Sequence, residues 1–448
     1  MRNIIFNLQS SFFKSPILRL ALPSVVTNIT VPLLGLVDMA IVGHMGAASY
    51  IGAVAIGTTI FNMVYWVFAF LRMGTTGIVS QAHGAGDDQA IRDRLIRSLM
   101  TGGTIALVLL ILQTPLLRFA LWMMAPEADV ARYAETYFRV CIWGAPAMLS
   151  SYCLTGWFIG LQDTRTPMWM AILQNLLNIL CTIVFVFAFG MGVAGVALGT
   201  VVGLYGGCLY AAYRVHIERA RKKQENANKK QNASVKASAF FVFSIFSVYV
   251  HIFLRTLCLV SVTVYFTTAG SRQGNLYLDA NALLMQFFIV YSYFTDGLAN
   301  AAEALSGDYV GRSDREGLLR TIRSLFCWGL GLTLVFTALY AMAGSWLLGL
   351  LTNQQEVLLV ARSYLPWVIA VPIVALPAFV WDGVYIGMTL TRQMFQSMLV
   401  SALVFFALWF LLGPSYGNHA LWFSFLSYLA TRSLMQTLMF RYRSGREV

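Results

Sequence analysis

LALPSVVTNITVPLLGLVDMAIV, residues 20–42, carries a single charged side chain, Asp38, in 23 positions. A run this long and apolar reads as a membrane-spanning helix, since roughly 20 residues at about 1.5 Å each cross a hydrocarbon core. Ionising a carboxylate inside such a span costs about 2.5–3.5 kcal/mol on insertion scales, so an acid kept there points to function. The competing reading is an acid that caps the helix or snorkels, because Asp38 precedes Gly43 by five residues, about 7 Å along the axis. Pro23 and Pro32 lie in the same run and each removes a backbone donor from it.

The rest of the chain has the same character. Its 448 residues are 58% hydrophobic and 11% charged, with a mean hydropathy of +0.69, against about 25% charge in soluble domains. This is the composition of an all-α polytopic membrane protein. The net charge of +12 sits in short loops and tails rather than in a soluble basic domain, so no nucleic-acid partner is expected. Cys141, Cys153, Cys181, Cys208, Cys258 and Cys327 are scattered through apolar segments without C-x-x-C spacing, which suggests neither a disulfide framework nor a zinc site. Met1–Ser15 carry Arg2 and Lys14 but lead into a full span without a small-residue cleavage site, so the first helix is expected to remain in the mature protein.

Apolar runs predict twelve spans, near 16–42, 52–80, 95–121, 132–159, 166–189, 193–214, 240–268, 280–306, 318–350, 358–387, 395–412 and 418–440. They divide into an N-terminal lobe (1–214), a basic linker (215–238) and a C-terminal lobe (239–448). Arg214, Arg219, Arg221, Lys222, Lys223, Lys229, Lys230 and Lys236 crowd the linker region. The other even-numbered connections are also basic, and the positive-inside rule then places both termini and the linker in the cytoplasm of an inner or plasma membrane.

The halves repeat at a shift of about 227 residues. Gly84-Ala85-Gly86-Asp87 and Ile96-Arg97-Ser98-Leu99 correspond to Gly311-Arg312-Ser313-Asp314 and Ile322-Arg323-Ser324-Leu325. Gly156-x-x-x-Gly160-x-x-x-Thr164-Arg165 recurs as Gly383-x-x-x-Gly387-x-x-x-Thr391-Arg392. Six spans return a chain to its starting side, so the lobes are expected to share orientation about a pseudo-two-fold axis along the membrane normal, an arrangement suited to alternating access.

Motifs for soluble chemistry fail. Gly190–Gly195 matches a dinucleotide fingerprint by spacing but follows a helical span, which makes it a turn. There is no P-loop and no H-E-x-x-H, and Asn28-Ile29-Thr30 lies inside a span. No catalytic residue, metal ligand or cofactor is expected. What remains is polarity within spans. In the fifth, Gln174, Asn175, Asn178 and Thr182 punctuate an apolar run, with Asn178 and Thr182 on one helix face. They read either as interhelical hydrogen-bond glue or as a cavity wall facing Asp38. In the second half, Asp296 and Glu303 stand two turns apart on one face and Asp382 opens the repeated Gly383 motif. Each reads as a functional acid or as half of a salt bridge, with Arg72 and Arg255 as the intramembrane counter-charges. Met63, Tyr65, Trp66 and Met73 form a greasy face that serves as lipid contact or core, or lines a substrate pocket.

Together, Leu22-Pro23, Val37-Asp38-Met39-Ala40-Ile41-Val42-Gly43, Gly84–Asp87, Gly160-Leu161-Gln162-Asp163-Thr164, Leu254-Arg255-Thr256-Leu257, Asp296-Gly297 and Glu303-Ala304 resemble the MATE (multidrug and toxic compound extrusion) transporters, and among them the DinF-like branch. The resemblance implies a monomeric twelve-helix antiporter in two six-helix lobes, surrounded by lipid, that exports amphipathic, often cationic organic compounds in exchange for H⁺ or Na⁺. It implies an ion-coupling role for Asp38, and it matches Asn178, Tyr137 and Thr200 to polar positions around that acid. The branch often has a second Asp four residues after the Asn; here that position is Thr182. Asp296, Glu303 and Asp382 are the alternative ion or substrate acids, and Asn175, Met63, Tyr65 and Met73 the cavity candidates. The expected mechanism is proton-coupled: protonating Asp38 removes its charge and lets the first helix repack. A lipid or lipid-linked oligosaccharide flippase of the same superfold is the alternative, and an intramembrane enzyme is disfavoured because no catalytic cluster is visible.

Overall fold

The computed structural model describes residues 15–45, 48–227 and 239–444. Among the described residues there is no strand, and nine helical stretches are long and apolar enough to cross a membrane. Grouped across short breaks, the helices make twelve passages. The first is α1 (Pro16–Gly43), and the second joins α2 (Ala48–Val67) to α3 (Phe70–Gly84). The third is α4 (Asp88–Ile111), followed by a separate short helix α5 (Gln113–Met124), and the fourth joins α6 (Ala128–Cys141) to α7 (Ala145–Gly160). The fifth and sixth are α8 (Arg165–Ile183) and α9 (Gly192–Ala227). The last six are α10 (Ala239–Arg272), α11 (Asn275–Gly311), α12 (Arg315–Leu351), α13 (Gln355–Gly387), α14 (Thr391–Tyr416) and α15 (Asn418–Ser444).

Several predicted spans are interrupted or extended. The run 95–121 is two helices divided at Leu112, where Pro115 supplies no N–H for the carbonyl of Ile111 and crowds it. The run 132–159 tightens into a 3₁₀ turn at Ile142–Gly144, for the same reason, with Pro146 four residues after Ile142. The second span breaks at Phe68–Ala69, where the backbone switches to three-residue bonds, Phe68 N to Tyr65 O at 3.0 Å and Ala69 N to Trp66 O at 3.2 Å. The sixth passage runs on to Ala227 rather than ending near 214, because Arg, Lys, Gln, Glu and Ala all favour helix. Lys229, Lys230 and Lys236 of the basic linker lie outside the described residues. The glycine-rich stretch at 190 is a turn: Val184–Ala188 ends the fifth passage as a π turn, and Gly190 and Gly192 take positive φ of 65° and 57°, which glycine adopts without strain.

The chain forms two compact units, Pro23–Ile245, and Phe246–Val448 with Met1–Leu22. In lipid, helices associate through close packing rather than by escaping water, so small residues at crossings matter. In the first unit α7 crosses α3 at Gly156 and Gly160. A Cβ on Gly156 would meet the Arg72 carbonyl oxygen and lie 2.9 Å from Thr75 Cβ, and one on Gly160 would lie 2.8 Å from Val79 Cβ. In the second unit α13 crosses α11 in the same register: a Cβ on Gly383 would meet the Ala299 carbonyl oxygen and lie 2.8 Å from Ala302 Cβ, and one on Gly387 would lie 2.8 Å from Gly307 N. Arg72 and Ala299, and Thr75 and Ala302, are each 227 positions apart. The left-handed residues obey the same shift, Gly86 with Ser313 and Gln162 with Thr389.

The second unit is filled by aromatic side chains, among them Phe266, Phe287, Tyr291, Phe336, Tyr340 and Trp422, all buried. Phe287 and Tyr340 meet edge to face at 4.9 Å and 73°, a geometry that adds about 0.5–1.5 kcal/mol beyond area burial. The phenol of Tyr340 donates to the Phe287 carbonyl at 2.7 Å. Asn281 and Asn418 exchange amide hydrogen bonds at 2.7 and 3.0 Å, and Trp422 Nε1 donates to Asn281 at 2.9 Å, which ties α11 to the start of α15.

Candidate functional site

In the first unit the polar residues gather into two neighbouring groups. Asp38 stands near the end of α1, and its Oδ1 is buried without a hydrogen-bond partner. Tyr137 and Cys141, one turn apart on α6, hydrogen-bond to each other and lie within electrostatic range of the Asp38 carboxylate. The Tyr137 hydroxyl sits 3.5 Å from Thr58 Oγ1 on α2. Its ring lies across Gly57, where any Cβ would strike it; the glycine is the slot through which α2 admits the ring. Tyr65 continues this wall: its ring meets Phe61 at 5.4 Å in a tilted pair, Phe61 lies 6.5 Å from Tyr137, and the buried Tyr65 hydroxyl has no partner.

The second group joins α8 to α9. Asn178 Nδ2 donates to Thr200 Oγ1 at 3.1 Å, and Thr182 Oγ1 donates to Asn178 Oδ1 at 3.3 Å. Thr200 in turn donates to the Val196 carbonyl at 3.1 Å. Glycines bring the two helices this close: a Cβ on Gly199 would lie 2.8 Å from Thr182 N, and one on Gly203 would lie 2.6 Å from the Gln174 carbonyl oxygen. Cys141 Sγ contacts the Ala197 carbonyl at 3.7 Å, three residues before Thr200, so Cys141 reaches from the Asp38 group toward this one. Among the described residues no hydrogen bond joins Asn178, Thr182 or Thr200 directly to Asp38.

Asn175 is engaged with α1: its Nδ2 donates to the Thr30 carbonyl at 3.0 Å, two residues before Pro32, on a stretch of helix that the proline leaves short of backbone bonds. Met63 is half exposed and Met73 partly buried, whereas Tyr65 is buried.

In the second unit Asp382 is buried in a cluster with two arginines. One carboxylate oxygen accepts from both Arg255 on α10 and Arg432 on α15, and the other accepts from Gln436 Nε2 at 2.7 Å. Arg432 and Gln436 were invisible as partners in the sequence, where Arg72 and Arg255 stood as the intramembrane arginines. Arg432 is a third, 3% exposed. Glu303 is buried on α11 behind Gly387, and Asp296 lies one helix turn from Tyr293 and influences it electrostatically. Asp308, also buried, pairs with Arg312 at 2.7 Å. Asp382 joins α10, α13 and α15 through these bonds, and Asp296 and Glu303 both stand on α11.

Sequence and structure comparisons bear on this geometry. The MatE family profile matches the chain twice, at residues 23–184 and 251–411, one match to each half. The chain is 34% identical to the DNA damage-inducible protein F of Escherichia coli over 429 residues, covering 95% of this chain and 92% of that protein. It is 26% identical to the probable multidrug resistance protein NorM of Thermotoga maritima over 69% of this chain and 66% of that protein. Among solved structures, a MATE protein in its bent conformation superposes with a TM-score of 0.84 at 16% identity, covering 96% of this chain and 95% of that one. A multidrug resistance MATE family transporter in an outward-facing conformation gives 0.82 at 16% identity, covering 96% of each chain. At that identity the likeness is one of fold.

Proposed function

The chain belongs to the MatE family of multi-pass membrane transporters, and from this premise we propose that it is a secondary antiporter that exports amphipathic, cationic organic compounds by alternating access. The inward ion is H⁺, with Na⁺ as the alternative. It works as a monomer in the inner membrane with both termini in the cytoplasm, and the basic connections carry that orientation.

One observation supports the coupling reading above the others: the buried Oδ1 of Asp38 has no partner. A carboxylate in hydrocarbon needs a proton, a cation or a donor. Here Tyr137, itself in contact with Thr58, and Cys141 lie within electrostatic range of the carboxylate without completing its shell. A proton arriving from outside neutralises Asp38, and a cationic substrate arriving from inside pairs with it; each displaces the other, which is what antiport requires. Tyr65, packed through Phe61 toward Tyr137, and the methionines Met63 and Met73 on the same pair of helices are the candidates for an adaptable apolar wall, and Asn175 holds α1 at Thr30 while the charge at Asp38 changes.

Purified protein in proteoliposomes, loaded with a fluorescent organic cation and given an imposed H⁺ or Na⁺ gradient, tests this. Wild type should move the cation in exchange for H⁺, and Asp38→Asn, which leaves the cation no charge to pair with, should bind it more weakly and show no gradient-driven flux. Coupled flux in Asp38→Asn would remove Asp38 from the mechanism. Failure of both gradients to move any compound would end the antiporter reading.

A further inference from the structure

Arg255, Asp382 and Arg432 form a buried group whose charges do not cancel. Two guanidinium groups share one carboxylate oxygen, and Gln436 adds a neutral donor to the other. Among the described residues Asp382 is the one carboxylate that either arginine pairs with. The group thus holds one excess positive charge, with Arg255, Asp382 and Arg432 at 7%, 6% and 3% exposure. Snorkelling cannot relieve it, because neither guanidinium reaches an exposed surface. A buried charge without a counter-ion is costly in any interior and more so within a bilayer.

The donors are also unfinished. The Nε–H groups of both Arg255 and Arg432 are buried without a partner. Arginine donates in a planar fork that matches carboxylate oxygens, and its N–H groups can equally point at a single halide ion. Two unpaired N–H donors and two guanidinium groups on one carboxylate oxygen are the attributes of an anion site. We propose that the second unit binds one small monovalent anion at Arg255 and Arg432, a halide or the carboxylate of an organic molecule, and that Asp382 sets how tightly it binds. This site is independent of the coupling role given to Asp38, which lies in the other unit. It also gives Asp382 a different part from that of an exchanging acid: both its oxygens are taken by Arg255, Arg432 and Gln436, and the anion completes the group.

The sign of each substitution separates this proposal from a purely structural ion pair. Arg255→Gln or Arg432→Gln leaves one arginine on one carboxylate, a neutral pair, and should abolish anion binding. Asp382→Asn raises the excess to two positive charges and should tighten binding, on the order of tenfold for a desolvated charge. The experiment is a scintillation-proximity measurement on the full chain in lipid nanodiscs, with radiolabelled chloride in one arm and radiolabelled benzoate in the other. Thermal unfolding in chloride or in the divalent sulfate is followed in parallel. Wild type should bind one anion, and chloride should stabilise Asp382→Asn more than wild type and the Arg→Gln variants not at all. Preference for chloride assigns the site to an inorganic ion, and preference for benzoate to an organic carboxylate. Folded wild type that binds neither anion overturns the proposal, as does undiminished binding in Arg255→Gln. Should Asp382→Asn fail to fold even in chloride, wild type and the two arginine variants decide the matter.

Discussion

Asp87 and Asp314, 227 residues apart, close the same turn. Each caps a helix, α4 and α12, by accepting at 2.8 Å from the backbone N–H three residues on, Ala90 in one case and Gly317 in the other. Their backbones agree as well, at φ −89°, ψ 87° and φ −94°, ψ 88°. The repeat is therefore physical: the same cap follows a left-handed residue, Gly86 or Ser313, in each compact unit.

Loss of either cap should cost the same. Asp87→Ala and Asp314→Ala are each expected to destabilise the protein by about 1 kcal/mol. The double variant should show the sum, because the two caps share no hydrogen-bond partner. Denaturant unfolding in detergent measures all three, and a double variant no worse than either single would contradict the equivalence.

Close approach of α8 and α9 should be intolerant of a single methyl. Gly199→Ala places a Cβ 2.8 Å from Thr182 N and is expected to destabilise by about 1–3 kcal/mol through overpacking. Gly103→Ala, whose Cβ would meet nothing within 4 Å, should be neutral in the same melting assay.

Removing the hydrogen bonds while keeping the packing separates stability from coupling. Thr200→Val deletes the acceptor for Asn178, and interhelical bonds in bilayers average about 0.6 kcal/mol. Folding should therefore change little. If the α8–α9 group supports Asp38, gradient-driven flux in proteoliposomes should fall far more than the melting temperature does; flux at the wild-type rate would assign the group to packing alone.

Much of this was legible beforehand. Pro115 and Pro146 stand where the third and fourth passages break, a local signal that hydropathy passes over, since the apolar runs 95–121 and 132–159 read as unbroken spans. Phe68–Ala69 carries no proline or glycine, so that break had no local signal. Asp38 and the Asn178–Thr182 spacing were visible because polarity inside an apolar run stands out. Tyr137 and Cys141 reach Asp38 from a helix about a hundred residues away, and no periodicity connects them. Arg432 falls inside the predicted span 418–440, and no sequence pattern ties it to Asp382, 50 positions earlier; only its burial against that acid reveals it.

Asn175 should matter to α1 and to little else. Asn175→Leu removes its bond to the Thr30 carbonyl while retaining an apolar helix former. Hydrogen exchange of the α1 amides between Pro23 and Pro32 should accelerate, and exchange in α13 should stay unchanged. Equal protection of α1 in both proteins would refute the tie.

Orientation is open to direct labelling. Arg312→Cys, at the end of α11, should react with a membrane-impermeant maleimide only from the cytoplasmic side, and Gln354→Cys, before α13, only from outside. The opposite pattern would invert the placement of the termini.

The glycine crossings have a mechanical consequence. Where side chains interdigitate, a helix can creep by trading one rotamer for another. At Gly156 against Arg72 and at Gly383 against Ala299, main chain presses on main chain, and there are no rotamers to trade. Each unit thus contains a stator, a helix pair that must travel as one piece. By contrast, Gly35 and Gly43 on α1 face open space. The moving part in the first unit is to be sought in a helix with that freedom, and α1 is the helix that carries Asp38.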